Sequence, residues 1–169
     1  MFLRLDDDSH FHSEIDLFQK FEELNVNYAY HDFVWDSPYS STNANQVLLD
    51  GYIKKENLTK HYIPENIINH THNHPQYSAS PSFYNNFEMG KISYFFRPEV
   101  QKFSEYVKNS EGIYDYRWGD AIIRFFQILF FTNKIHCFDG GFYYEHQGFI
   151  LGKNEVKCIE DITVMDTNI

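Results

Sequence analysis

"FLRLDDDSHFHSEIDLFQKFEELNVNYAYHDF", Phe2 to Phe33, is the stretch on which the fold turns. "FLRL" alternates like a half-buried strand and stops at three successive carboxylates, Asp6, Asp7 and Asp8. "IDLFQKFEELN" then places Ile15, Phe18, Phe21 and Leu24 at steps of three, which predicts an amphipathic helix with those residues on its buried stripe. "YAYHDF" reads as a second strand. Strand, acidic loop, helix, strand is the order of an α/β sheet, in which ligands sit beyond the carboxyl ends of strands. The Asp triplet lies at such an end.

Further along, "DSPYSSTN" reads as a turn and a cap, followed by a helix from about Ala44 to Leu58. Between Lys60 and Tyr84 the composition is rich in His, Asn, Ser and Pro, which predicts a long loop of the kind that forms functional lids. "NFEMGKISYF" reads as a buried turn and strand, and "PEVQKFSEYVKNSEG" as a helix with Pro at its start and Gly at its end. "RWGD" precedes "AIIRFFQILFF", a buried helix too short to span a bilayer and interrupted by Arg124 and Gln127. "KIHCF" is a short strand and "DGGFYYEH" a glycine-hinged loop. With no repeat and no linker, residues 1–169 are expected to form one domain.

Charge narrows the function classes. Asp and Glu outnumber Lys and Arg 24 to 14, and no basic cluster concentrates a positive field, which argues against phosphate-backbone binding and nucleic-acid partners. An acidic pocket suits a divalent cation, which in turn holds a phosphorylated small molecule. Aromatics make up 19% of the chain, predicting a core of packed rings. Cys137 and Cys158 form no CxxC pair and no disulfide framework is expected from them. The first residues run straight into strand and acid instead of a basic start and apolar run, so no secretory signal is expected.

Each candidate for chemistry has a plainer alternative. Asp6, Asp7 and Asp8 repel one another unless a hard cation neutralises them; otherwise they form an exposed acidic turn that caps the next helix. His70, His72 and His74 alternate as zinc ligands on an extended segment would, but sit among loop residues. His146 follows "GGFYY", where a hinge would swing its imidazole towards the acidic pocket; the alternative is an ordinary surface histidine. Glu88, between Phe87 and Met89, is a desolvated base or nucleophile held by Asn85 or Asn86, or else a strand glutamate paired with Lys or Arg. Asp120 stands where it would cap a helix, while Arg117 and Trp118 offer a guanidinium fork and a ring face suited to anions and sugars.

In order, "RLDDDSHFHSEIDLFQKFEELNVNYAYHDFVWDSP", "FYNNFEMGKISYFFRPEV" and "YRWGDAIIRFFQILFFTNKIHCFDGGFYYEH" resemble glycosyltransferase family 15, the fungal-type α-1,2-mannosyltransferases. The resemblance covers about residues 2 to 148. It implies a GT-A fold, Mn2+ as cofactor, GDP-mannose as donor and a mannoside or glycan as acceptor, with retention of configuration. It assigns Asp6, Asp8 and His146 to the metal, Glu88 to the nucleophile and Asp120 to the acceptor side or to stabilising positive charge. Asp36, with Pro38, would shape the pocket wall; Arg117, Trp118 and Tyr144 of the closing Y-x-H would meet substrate.

The departures also carry expectations. "YRWGDAIIR" stands where the family has "ERWGDAPVH", so Tyr116, Ile122, Ile123 and Arg124 imply altered acceptor selection. The family's nucleotide-binding βαβ region lies upstream of the strand at which this chain starts, so a partial GT-A fold is expected. Two rival readings follow: an inactive remnant that binds a partner chain supplying that half, and a metal-dependent hydrolase whose His tract converges on the Asp triplet. The family resides in the Golgi lumen, a placement no segment of this chain encodes. "NLT" at Asn57 and "NHT" at Asn69 are N-glycosylation sequons if the chain reaches a secretory lumen.

Overall fold

The computed structural model describes residues 1–13, 15–37, 42–73, 79–138, 142–146, 149–150 and 158–159. In chain order, β1 (Phe2–Leu5), β2 (Ser9–Ser13), α1 (Leu17–Leu24), β3 (Tyr28–Tyr30) and β4 (Phe33–Asp36) precede a π-helical stretch, Asn45–Gly51, that continues as α2 (Tyr52–Glu56). Then come α3 (Glu65–Asn73), β5 (Ser80–Phe83), β6 (Phe87–Gly90), α4 (Ile92–Phe95), α5 (Pro98–Asn109), α6 (Gly112–Asp115), α7 (Asp120–Leu129), β7 (Ile135–Cys137), β8 (Phe142–His146) and β9 (Phe149–Ile150). They form two compact units: Met1–Phe33 with Tyr84–Tyr94 and Lys134–Ile169, and Val34–Phe83 with Phe95–Asn133.

The first unit is built on a mixed sheet of order β1-β6-β3-β7, with β6 antiparallel to both neighbours and β3 parallel to β7. Strand periodicity gives this sheet two chemically different faces. Leu3, Ala29, Phe87 and Met89 pack with Leu17 and Phe21 of α1 on the apolar face. Arg4, Tyr30 and Glu88 share a register level on the other face, with Tyr28 two residues from Tyr30. Burying Phe87 and Met89 stabilises the unit by about 1.5–3 kcal/mol each. A second sheet, β2-β8-β9, brings Tyr144 into the same apolar cluster.

Several expectations are corrected here. The acidic triplet is followed by β2, with the helix beginning only after it. Asp16 starts α1 by accepting from the amides of Phe18 and Gln19, so Ile15 precedes the helix. The buried stripe is therefore Leu17 and Phe21, one turn apart, while Ile15 and Phe18 are 39% and 44% exposed. "DGGFYYEH" is no loop from Phe142 onward: it is β8, paired residue for residue with β2. Cys137 and Cys158 are joined in a disulfide, with the Ile159 amide donating to Tyr30 Oη at 2.9 Å. That bond ties the Cys158–Ile159 segment to the polar side of the sheet, since Cys137 lies opposite Tyr30.

The second unit packs α7 against β5, with Phe125 meeting Phe83 at 5.2 Å between ring centres. As its composition predicts, α7 buries Ile122, Phe125, Phe126, Ile128 and Leu129; Gln127 satisfies its amide on Ser104 Oγ. Tyr52 is the hub of a ring cluster, 4.9 Å from Phe103 and 5.2 Å from Phe130. The helix expected from about Ala44 is present, and Pro98 opens α5. The expected loop from Lys60 to Tyr84 instead holds α3 and β5. Ile67 and Thr71, one turn apart, give α3 a buried edge that its Asn- and His-rich composition conceals.

Candidate metal centre

The centre is assembled by strand register in the first unit. Beyond the last β1–β6 pair the ladder continues with the Asp6 amide donating to Asn86 O at 3.2 Å. The Ser9 amide donates to Asp6 O at 3.1 Å, closing a tight turn over the acidic triplet. Chain direction is thereby reversed, and Ser9 begins β2 directly opposite His146, the last residue of β8. Side chains alternate along β8, so Tyr144 and His146 are buried while Tyr143 is exposed. His146 is consequently a fixed strand residue and not the end of a swinging hinge.

This geometry places one ligand atom each from Asp6, Asp8 and His146 within 4.8 Å of one another. His146 Nε2 lies 2.9 Å from Asp8 Oδ1 and 3.8 Å from Asp6 Oδ2. On the other side of the ring, Nδ1 is 2.7 Å from the Tyr84 hydroxyl oxygen. A neutral imidazole has one N–H; when Nδ1 carries it and donates to Tyr84, Nε2 presents its lone pair to the carboxylates. Asn86 Nδ2 donates to Asp6 Oδ2 at 2.6 Å and also faces Nε2 at 3.0 Å. Burial first, then Asp6, Asp32 and Asp8, pushes the Tyr84 phenol above its ordinary value, keeping it a neutral hydroxyl. Asp7 points into solvent.

Two oxygens and one imidazole nitrogen fit a divalent ion that accepts mixed ligands. Metal–oxygen distances of about 2.0–2.6 Å allow two ligands of one ion to lie up to about 5 Å apart, so the observed spread is within reach of a single ion. Glu88 is 1% exposed and accepts from Tyr28 Oη at 2.7 Å. Arg4 stands between the two kinds of carboxylate, 3.4 Å from Asp6 and 3.9 Å from Glu88. Thus Asn86, one of the two asparagines expected to hold Glu88, holds Asp6 instead. Arg4, Tyr28 and Tyr84 were missed in the sequence, although pairing Leu5 with Phe87 antiparallel puts Asn86 beside Asp6 and Arg4 beside Glu88. Tyr144 is fully buried, its hydroxyl 3.0 Å from Ser9 Oγ, and burial pushes its phenol up to about 12.

The remaining candidates belong to the second unit. Asp36 Oδ2 is 4.0 Å from where a Cβ on Gly119 would lie, so the end of β4 and the "RWGD" turn are neighbours; Pro38 is outside the described residues. Trp118 is buried, stacks on Tyr116 and donates from Nε1 to Thr42 O at 2.8 Å. Arg117 is exposed, with left-handed backbone at φ 57°. Asp120 is exposed and is the first residue of α7, with Gly119 in the cap position. His72 bonds Asp50 at 2.8 Å and His70 packs on Trp35, both from a helix where an extended segment was expected. His74 is outside the described residues.

Known proteins give this arrangement its context. The sequence model of the family described as glycolipid 2-alpha-mannosyltransferase matches residues 2–164. The chain belongs to that family. The mannosyltransferase KTR6 of Saccharomyces cerevisiae is 35% identical over 66 residues, 37% of this chain and 15% of KTR6. The crystal structure of core-mannan synthase A (CmsA/Ktr4) from Aspergillus fumigatus, in its Mn/GDP form, superposes with a TM-score of 0.70 at 20% identity, covering 88% of this chain and 42% of that one. Ktr4p of S. cerevisiae in complex with GDP superposes with a TM-score of 0.72 at 23% identity, covering 88% and 40%. The α/β, partial GT-A fold expected from the sequence is thus the fold of these family members, of which the chain spans about two fifths.

Proposed function

We propose that this chain carries the metal-binding and sugar-transfer part of a retaining α-1,2-mannosyltransferase, moving mannose from GDP-mannose to a mannoside or glycan acceptor in the presence of Mn2+. The observation that carries the reading is the convergence of Asp6 and Asp8, from one turn, with His146, far along the chain, on one small volume. Support comes from the family match and from the Mn/GDP form of the Aspergillus relative. Asp6, Asp8 and His146 would hold the ion. When bound, the cation supplies Lewis acidity that offsets charge growing on the departing diphosphate.

The chain's own groups do the rest. Tyr84 orients His146, and Asn86 aims Asp6. Glu88 stabilises or attacks the anomeric carbon as positive character develops there, with Tyr28 and Arg4 keeping its carboxylate in place. Asp120 takes the acceptor role that the family resemblance gives it, and Asp36, Arg117 and Trp118 belong to its surroundings within the second unit. The test is a transfer assay on the full chain with GDP-mannose and a mannoside, with and without Mn2+. Turnover is expected to need Mn2+ and to fall by orders of magnitude in Glu88→Gln and Asp6→Asn. Turnover unaffected by Glu88→Gln would remove the nucleophile assignment, and metal-independent turnover would remove the role of the triad.

A further inference from the structure

The two sequons are not equivalent, and the disulfide gives them meaning. Both cysteines of the chain are consumed in the Cys137–Cys158 bond, whose Cα atoms are 5.6 Å apart, within the ordinary span of a stable bridge. Such bonds persist in oxidising compartments and are rare where thiols are kept reduced. The compartment that oxidises this pair in a eukaryotic cell is also the one in which asparagine is glycosylated.

Asn57 ends α2 in the left-handed region, φ 49° and ψ 46°, with its amide turned back to the carbonyls of Ile53 and Lys54. The following Leu58 amide returns to Ile53 O at 3.0 Å, and from there to Pro64 the chain is neither helix nor strand. Asn57 and Thr59 are both exposed, and neither side chain has a hydrogen bond among the described residues. The acceptor amide and the hydroxyl that completes the sequon are thus both open to solvent. Asn69 is placed differently. It lies inside α3, and Thr71, only 2% exposed, donates its hydroxyl to Ile68 O at 2.7 Å. The helix consumes the group on which recognition of that sequon depends.

We infer that Asn57 is an N-glycosylation site and Asn69 is not. The donor is a lipid-linked oligosaccharide diphosphate. A bond forms between Asn57 Nδ2 and the anomeric carbon, and the anomeric carbon–oxygen bond to phosphate breaks. The lipid diphosphate leaves with the electron pair, and the amide gives up one proton to base. An attached glycan occupies the outside of the α2 turn, where no buried group has to move.

The test is mass spectrometry of the full chain from cells of its own source, treated with N-glycan amidase in 18O water, alongside tagged variants expressed there. Because Asn57 also ends a helix in a conformation asparagine tolerates, the sequon is broken at its third residue instead. Conversion of Asn57 to labelled Asp is expected, retained in Thr59→Ser, lost in Thr59→Ala and unchanged in Thr71→Ala. The result is independent of transferase activity, so it stands or falls apart from the proposed function. Absence of label at Asn57, label at Asn69, or free thiols at Cys137 and Cys158 in the same sample would each overturn the inference.

Discussion

Tyr84→Phe removes one oxygen and leaves the ring, still 5.9 Å from the His146 ring, in place. The lost hydroxyl is the partner of Nδ1 at 2.7 Å; the next polar atom, Asn86 Nδ2 at 3.3 Å, is itself a donor and cannot accept from an Nδ1–H. The proton then favours Nε2, where Asp8 Oδ1 waits at 2.9 Å, and the ring loses the lone pair that a cation requires. Loss of such an orienting partner costs about 10–100-fold in metal affinity. Because the His146 side chain is only 10% exposed, water has little room to replace the hydroxyl, so the upper part of that range is expected, about 2–2.7 kcal/mol. Titration followed by the electron paramagnetic resonance signal of free Mn2+ measures it, with a urea melt to establish that the variant is folded. Asp8→Asn serves as the reference for loss of a direct ligand. A folded Tyr84→Phe protein that binds Mn2+ as the wild type does, while Asp8→Asn does not, would refute the orientation argument.

Three further outcomes follow from packing and charge. Gly112→Ala would place a Cβ 2.3 Å from two Trp118 ring atoms, so overpacking is expected to cost about 1–3 kcal/mol in a urea melt and to shift tryptophan emission as the ring gives way. Cys137→Ser opens a bridge between positions 21 residues apart and is expected to cost about 3 kcal/mol, an effect that reductant reproduces in the wild type but not in the variant. Burial, with Glu56 and Glu99, pushes the Tyr52 phenol from 10.0 up to about 12, so the folded state keeps a proton that the unfolded chain releases first. Stability is therefore whole below pH 10.0 and is lost as pH rises towards about 12, at roughly 1.4 kcal/mol per unit. Tyr52→Phe should flatten that alkaline decline in denaturant melts.

What could be read from the sequence had strong local signals. β1, β3, β7, α5 and α7 announce themselves by alternation, by Pro98 at a helix start, or by near-continuous apolar character. What misled was composition standing in for pattern. Asn and His residues hid α3, whose fold is decided by a few buried contacts such as Ile67 and Thr71. Two glycines suggested a hinge before Phe142, yet Tyr144 and His146 alternate inward with Tyr143 outward as a strand must. The steps of three from Ile15 miss the α1 stripe because Asp16 is the cap and Ile15 lies before the helix. At the site, Asp6, Asp8 and His146 are legible as cation candidates in the residues and are narrowed to one set by the family resemblance, whereas Arg4, Tyr84 and the true partner of Asn86 depend on antiparallel register, which single-strand reading does not supply. Nor does a separation of 21 residues predict the pairing of two cysteines.

That register makes the third ligand digital. β8 meets β2 with His146 across from Ser9 and Glu145 across from His10, so the imidazole has two destinations along the ladder and none in between. Sliding β8 by one residue would turn His146 outward, drag Tyr144 out of its apolar cluster and offer the metal ligands Asp6 and Asp8 the Glu145 carboxylate in place of an imidazole. The core thus proofreads the position of the nitrogen: a mispaired strand announces itself as a hole among aromatic rings before any ion is encountered.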